Sequence, residues 1–484
     1  MSTLKRTLAL LAALAITSVS FAACGDDADS SSSSSGSSTS DSSSSASEGS
    51  TSEGETSEGS TSEGEGEGEG VNSGVTLSTD TIDYQSEEGT LTVITWTADD
   101  AQPMADHYME KSGNSNVKVE VVAESGGDAA TKYDAYILGG NDVDIFMCDV
   151  DWVLKYAKDT YALPLSEVGI TEADLANQFS YTVSIGTAPG ELYATSFQAT
   201  PGGYVYNNAL AEEHLGVTDG AAMQEKMKDW DAFKATAAEL SEATSGAVKI
   251  CPTLGGLWQV YATNRSEAWV TADNKLNVGE AEGFVTLAKE LVDGGYVDPA
   301  IGQWSPDWAP MGQNGTALGF FGCTWCVKEV GGQLEGWQGE TGPWTLIAGP
   351  QAYSWGGTFL CVGKDSDNKA MAGDYIKSFC INEQSMYEYA LAVGDFVNNK
   401  NVMGKIVEEA SNSNALLGGQ DQFAVFAEVA PSISMEGLVT EKDSTIKAAF
   451  LTAVTNYCKG DADDWSVPFQ EAVAEAYPDD LVWE

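Results

Sequence analysis

Leu91-Thr92-Val93-Ile94-Thr95-Trp96, Val117-Lys118-Val119-Glu120-Val121 and Asp144-Ile145-Phe146-Met147-Cys148 are three short runs rich in β-branched and apolar residues. Between them lie two stretches of helical pattern, Ala101 to Lys111 and Ala129 to Leu138. The first run reads as a buried strand and the second, which alternates, as a strand with one solvated face. Strands that alternate with helices imply parallel β-α-β units, hence an α/β fold. Open sheets of this kind collect ligands at the carboxyl ends of their strands. Trp96 with Asp99 and Asp100, and Asp149, Asp151 and Trp152 after the third run, fall there. Gly139-Gly140-Asn141 is not a phosphate loop, because it precedes a strand and no Lys-Ser or Lys-Thr follows.

Further along, a strand from Gly190 to Gln198 leads into Pro201-Gly202-Gly203 and the alternating Tyr204-Val205-Tyr206-Asn207. Helical patterns follow at Asn208 to Leu215 and Trp230 to Ala243, as if the chain leaves one lobe and starts another. Residues 250–355 carry eight of the 13 Trp (258, 269, 304, 308, 325, 337, 344 and 355) among many Gly. Beyond them Met371, Tyr375 and Phe379, then Phe450, Val454 and Tyr457, then Phe469, Val473 and Tyr477 recur at helical spacing.

The chain has 484 residues, 73 acidic and 23 basic, for a formal charge of -50. Residues 1–70 contain 12 of the acidic residues and two of the basic ones, so the rest of the chain keeps a net charge of -40. Nucleic acid and anionic lipid are therefore poor partners. A hydrophobic fraction of 42% belongs to a chain that folds, and the length suits two or three lobes. Lys5 and Arg6 precede an apolar run from Leu8 to Ile16 that is too short to span a bilayer, and small residues follow: a secretory signal pattern. Cleavage between Ala23 and Cys24 resembles the lipobox of bacterial lipoproteins, although Phe21 stands where Leu is usual. That resemblance implies a lipid on Cys24 and a protein held at the outer face of the cell membrane by the lipid alone. From Gly25 to about Gly74 the chain is Ser, Gly, Thr, Glu and Asp, with Thr-Ser-Glu-Gly at 51, 56 and 61. Such a segment is a solvated tether spanning roughly 40 Å.

Seven further Cys (148, 251, 323, 326, 361, 380 and 458) are an odd number, and most sit in apolar runs as small core residues, which suggests an anaerobic exterior. Cys323-Thr324-Trp325-Cys326 has the spacing of a redox pair or half a zinc site. With two His in the chain and no thioredoxin pattern around it, a local disulfide or two free thiols is the expectation. Asp461-Ala462-Asp463-Asp464 and Asp365-Ser366-Asp367 lack the Gly and terminal Glu of a calcium loop and read as solvated turns. No metal and no cofactor is expected.

An ordered set of motifs now carries a resemblance. Val93-Ile94-Thr95-Trp96-Thr97-Ala98-Asp99, Asp142 to Phe146, Leu163 to Glu167, Gly190 to Ala194, Tyr206 to Leu210 and Gly356 to Ser366 look like the extracellular solute-binding proteins of ABC importers. They are most similar to the maltose-binding-like, carbohydrate-binding group, over about 89 to 484. The resemblance implies a two-lobed α/β fold with a hinge and an interlobe cleft. It also implies a monomer that takes a carbohydrate, a short neutral oligosaccharide, and delivers it to permease subunits. The expected first lobe is 88–197 plus 356–418, and the second 198–355 plus 419–484.

The residue types fit that chemistry. A pyranose has apolar C–H faces that stack on indole, while its hydroxyls need carboxylate or amide partners in the ring plane. Trp152 beside Asp149 and Asp151, and Trp96 beside Asp99 and Asp100, offer both, as the resembled family's strand-end contacts would. Trp325 matches the family's sugar-stacking position after a Gly-rich strand. Gln198 matches a ligand-bonding position at the first crossing between lobes, with a hinge role as its other reading, and Trp355 lies near the second crossing. Trp258, Trp304 and Trp308, in Gly- and Pro-rich loops, are further candidates. A secreted glycosidase is the competing class, since acidic Trp-lined clefts also hydrolyse sugars, but no acid and base pair stands out. Peptide, polyamine and metal ligands remain open alternatives.

Overall fold

The computed structural model describes residues 70–78, 82, 88–96, 98–124, 129–157, 161–188, 190–328, 344–410 and 412–482. The leader, Cys24 and most of the tether lie outside the described residues, as do Trp337 and the side chain of Asp99.

β1 (Gly89–Thr95) runs parallel to β2 (Val117–Ala123), Gly89 opposite Val117 through Thr95 opposite Ala123. On its other side it runs parallel to β3 (Ile145–Asp149), Val93 opposite Ile145. Two helices, α1 (Ala98–Ser112) and α2 (Ala129–Leu138), make the crossovers. β2 is an edge strand, and its Lys118 and Glu120 point to solvent. β4 (Ala162–Leu163), the β5–β6 hairpin (Thr187–Ala188 and Glu191–Leu192) and β7 (Ala194–Ser196) follow. The single strand expected over 190–198 is broken here. Tyr193 and Ala194 both donate their N–H groups to the Gly186 carbonyl, at 3.0 and 3.1 Å, which leaves Tyr193 outside any strand and separates β6 from β7.

β8 (Gly202–Asn207), β9 (Gly319–Cys323) and β10 (Trp344–Ile347) form an antiparallel sheet of their own, ordered β10-β8-β9. β11 (Thr358–Gly363) returns to the first sheet, whose order is β2-β1-β3-β11-β4 with β7 also on β11. It is antiparallel to β3, Thr358 opposite Asp149 and Val362 opposite Ile145, and every residue of it is buried. An uninterrupted apolar run is what a central strand requires.

Gly202 and Gly203 open β8 because neither has room for a side chain: an aromatic ring lies across Gly202, and Leu346 and Ile347 of β10 crowd Gly203. A Cβ on Gly202 would fall 2.2 Å from the Tyr353 ring, whose hydroxyl donates to the carbonyls of Gly203 (2.8 Å) and Gly322 (3.1 Å). Around this sheet pack α3 (Asn208–Leu215), α4 (Trp230–Thr244) and α5 (Leu254–Ala262), each started by a side-chain cap: Asn207 for the first, Asp229 for the second and Thr253 for the third. α6 (Ala281–Asp293) and α7 (Asp443–Lys459) pack on α5, and α5 packs on β9. Phe450 and Val454 are buried along α7, and Phe469 and Val473 along α8 (Ser466–Ala476), while Tyr457 and Tyr477 are half-buried.

The chain passes between the two sheets along extended segments that hold one another. Ala199 N–H donates to Phe396 O, Asn398 N–H to Phe197 O, Gly202 N–H to Tyr353 O and Trp355 N–H to Thr200 O, all within 2.8–3.1 Å. At their centre the buried Asp395 carboxylate accepts from Thr324 Oγ1 (2.6 Å), from its neighbour Phe396 N–H (2.8 Å) and from the Gln198 side chain.

All seven described cysteines are free and buried, and the Sγ atoms of Cys323 and Cys326 touch at 3.7 Å. Among the described residues no three His, Cys, Asp or Glu side chains group as a metal site, and no helix is long and apolar enough to cross a membrane.

Candidate functional site

The carboxyl end of β3 turns sharply. Asp151 N–H donates to Asp149 Oδ1 (2.9 Å), Trp152 N–H to Asp149 O (3.1 Å), and Val150 N–H to Gly357 O (3.1 Å). The turn therefore aims Asp149 at the backbone of Gly356 and Gly357. Gly356 has φ +68, a left-handed conformation that glycine adopts without the Cβ penalty. A Cβ built on it would lie 3.5 Å from Asp149 Oδ2 and 3.6 Å from Trp325 Nε1, so a carboxylate and an indole flank a stretch of bare backbone.

Trp325 sits at the start of a short helix (Thr324–Lys328) that continues β9, and Thr324 is anchored to Asp395. Its Nε1–H donates to Trp355 O (3.1 Å). Trp304 stacks on it at 5.8 Å between centroids and 25° between planes, with Trp308 and Trp355 at 4.7 and 5.9 Å from Trp304. Trp304 holds φ +65, an uncommon conformation for a side chain of that size and one that turns the loop toward the group. Trp304 and Trp325 keep part of their surface in solvent, whereas Trp308 and Trp355 are buried.

Electrostatics divide the acidic residues. Burial, reinforced by Asp151, pushes the Asp149 carboxyl up to about 7, against the pull of its bond from Asp151 N–H and of Lys447. Asp151 itself is ion-paired to Lys447. Burial works to lower the Lys447 pKa, but Asp151, Asp443 and Asp149 outweigh it, and the net shift is upward.

A second aromatic group lies on the β1–β3 side: Trp96 and Trp152 meet edge to face at 5.6 Å, and Trp152 leans on Tyr133 (5.1 Å) and Tyr156 (5.6 Å). Both indoles are half-buried. Asp100, on α1, is half-buried as well. Burial first and Asp100 next raise the Tyr389 hydroxyl pKa.

The sequence profile of the bacterial extracellular solute-binding proteins matches residues 103–412, well over half of the chain. The chain belongs to that family. Solved structures of this fold agree. A family 1 extracellular solute-binding protein superposes with a TM-score of 0.68 at 17% identity, covering 81% of this chain and 99% of the other. The ABC transporter associated binding protein of B. animalis subsp. lactis, in complex with beta-1,6-galactobiose, gives 0.65 at 18% identity over 81% and 98%. The galacto-N-biose-/lacto-N-biose I-binding protein of Bifidobacterium longum, in complex with lacto-N-biose, gives 0.61 at 15% identity over 80% and 96%. No curated protein matches the chain by sequence. The fold is thus the two-lobed α/β fold of the solute-binding proteins, the family is one of extracellular solute-binding proteins, and these neighbours are binding proteins.

In this solute-binding protein the structure brings Asp149, Trp325 and Trp355 to one place and adds Trp304, Trp308 and Gly356. Trp96 and Trp152 form a separate pair. Two other candidates are held within the fold. Gln198 has both ends of its amide committed within the chain, Oε1 accepting from Thr358 N–H (3.0 Å) and Nε2 donating to Asp395, so it ties the crossing segments together. Trp258 is 2% exposed and packed among Phe284, Phe450 and Trp269. Its Gly-rich surroundings form a helix, α5, and Gly255 is small there because the Gln303 side chain passes 2.9 Å from where its Cβ would stand. Lys447 had no sequence signal, since it meets Asp151 only through the fold, 296 residues away.

Proposed function

We propose that this protein is the lipid-anchored receptor of an ABC importer, holding a neutral short oligosaccharide between two lobes and presenting it to permease subunits. The first lobe in this reading takes 88–197 plus 356–418 and the second 198–355 plus 419–484, and the separate three-stranded sheet built from 202–207, 319–323 and 344–347 supports the division. One observation carries the ligand class: Asp149 and the half-exposed Trp325 flank the side-chain-free backbone of Gly356. An indole gives a sugar face its stacking surface, a carboxyl its hydroxyl partner, and a glycine lets ring and backbone approach closely. Sugars bound by the neighbouring structures point the same way. Closure by hinge motion would bring both lobes onto one ligand and stabilise the closed state through its differential contacts. The Cys24 lipid and the tether would keep the receptor near its permease at the outer face of the membrane.

Titration calorimetry against β-1,6-galactobiose, lacto-N-biose and maltotriose, with free amino acids and a peptide pool as controls, tests the class. Saturable binding of one or more sugars is expected; binding of peptide with none of any sugar overturns it. Chromatography of the bound sugar after long incubation is expected to return it intact, and persistent shortening after repurification would favour a hydrolase. Incorporation of labelled fatty acid, lost in Cys24→Ala, checks the anchor.

A further inference from the structure

Lys447 belongs to α7, which packs on α5, α6 and α8 around the three-stranded sheet, whereas Asp151 follows β3 in the six-stranded one. Their ion pair ties the two bodies together at the mouth of the Asp149 turn. The lysine side chain is 15% exposed and the aspartate 36%, so the ammonium has given up most of its water and needs a counter-charge. Asp149 and Asp443 act on it too. Asp443 is otherwise held by Thr440, whose N–H and Oγ1–H donate to it at 3.0 and 2.6 Å. Lys447 therefore faces three carboxylates, two from the β3 turn and one from its own helix, and Arg265 shares only the last of them, Asp443.

We infer that Lys447 is a positioning residue of the cleft: it reaches across to hold Asp151, which keeps the two bodies closed and leaves Asp149 as the carboxylate that meets ligand. The inference rests on the two-lobed binding reading above. Its logic is that of a buried ion pair. Together the bodies shield the pair, and removing one partner there strands a charge; once they part, water takes over both groups. The contact thus favours the closed arrangement alone, and like charges would otherwise resist bringing the β3 turn to α7.

The test uses the ligand-free full-length protein, with spin labels on Leu138→Cys and Val467→Cys. Those sites are 82% and 55% exposed, one on each body, and the native thiols of the folded part are buried. Pulsed electron–electron distance distributions are compared for the parent, Lys447→Glu and the swap Asp151→Lys/Lys447→Glu. Lys447→Glu is expected to move the population to longer distances and the swap to return it toward the parent. A folded Lys447→Glu protein that keeps the parent distribution overturns the inference, as does a swap that stays with the single variant. If Lys447→Glu fails to fold, Lys447→Met replaces it and the same shift is required. No sugar is added, so a failure of the carbohydrate reading leaves this result standing.

Discussion

Trp325 and Trp258 are the same residue in different surroundings, and that difference sets two expected outcomes. Trp325 keeps part of its surface open beside Gly356, while Trp258 is sealed inside a ring of aromatics. Trp325→Ala should lose a stacking surface of about 1–3 kcal/mol and weaken sugar binding roughly 5- to 150-fold, with a modest change in unfolding. Trp258→Ala should cost about 3–5 kcal/mol of stability. Calorimetry and urea unfolding of both variants separate the two roles, and a reversed pattern would exchange them. Asp149 offers a different handle. Its carboxyl is raised from 3.8 to about 7 in the folded chain, so the folded state holds that proton more tightly than the unfolded one. Its stabilising effect is complete below pH 4 and is lost as pH rises toward 7. Asp149→Asn should therefore remove part of the fall in melting temperature across that window; melting curves at pH 4 to 8 that run parallel to the parent would contradict the assignment.

At the scale of elements, β8 shows how a site wall depends on small residues. Its opening Gly202 lies under the Tyr353 ring, and that residue's hydroxyl fastens β8, β9 and the returning segment at once. Gly202→Ala would place a methyl group 2.2 Å from the ring, with no flexible neighbour to yield. It should cost about 3 kcal/mol or more in urea unfolding, and wild-type stability would mean that the ring is free to move. The strands β1, β2 and β3 and helices α1 and α2 were legible because period and composition agree along each of them. The 190–198 segment was not, because the bonds that break it come from Gly186. Gly255-Gly256 read as a loop, since a glycine that makes room for a neighbour looks in sequence like one that makes a turn. The Asp149–Trp325 grouping could be read only as two candidates; their meeting at Gly356 is a property of the fold, as is the pairing of Asp151 with Lys447.

For the whole molecule, a net charge of -40 beyond residue 70 means that folding gathers like charges. The surface ion pairs, such as Lys111–Glu388 and Lys226–Glu239, are exposed enough to offset little of this. Raising sodium chloride from 10 to 150 mM shortens the screening length from about 30 to about 8 Å, and the melting temperature should rise. A fall, measured by scanning calorimetry, would mean that the paired charges outweigh the repulsion. The position of β11 has a consequence for how the molecule is made. It lies between β3 and β4, yet it follows β3 in the chain by more than two hundred residues. The first sheet therefore has a gap at its centre until three-quarters of the polypeptide has been synthesised, and early β-α-β units have no complete sheet on which to settle. Closing so long a loop is slow. Under the proposed reading of an exported receptor, a chain threaded unfolded across a membrane would gain time from that delay, because its order of synthesis postpones the structure that would block passage.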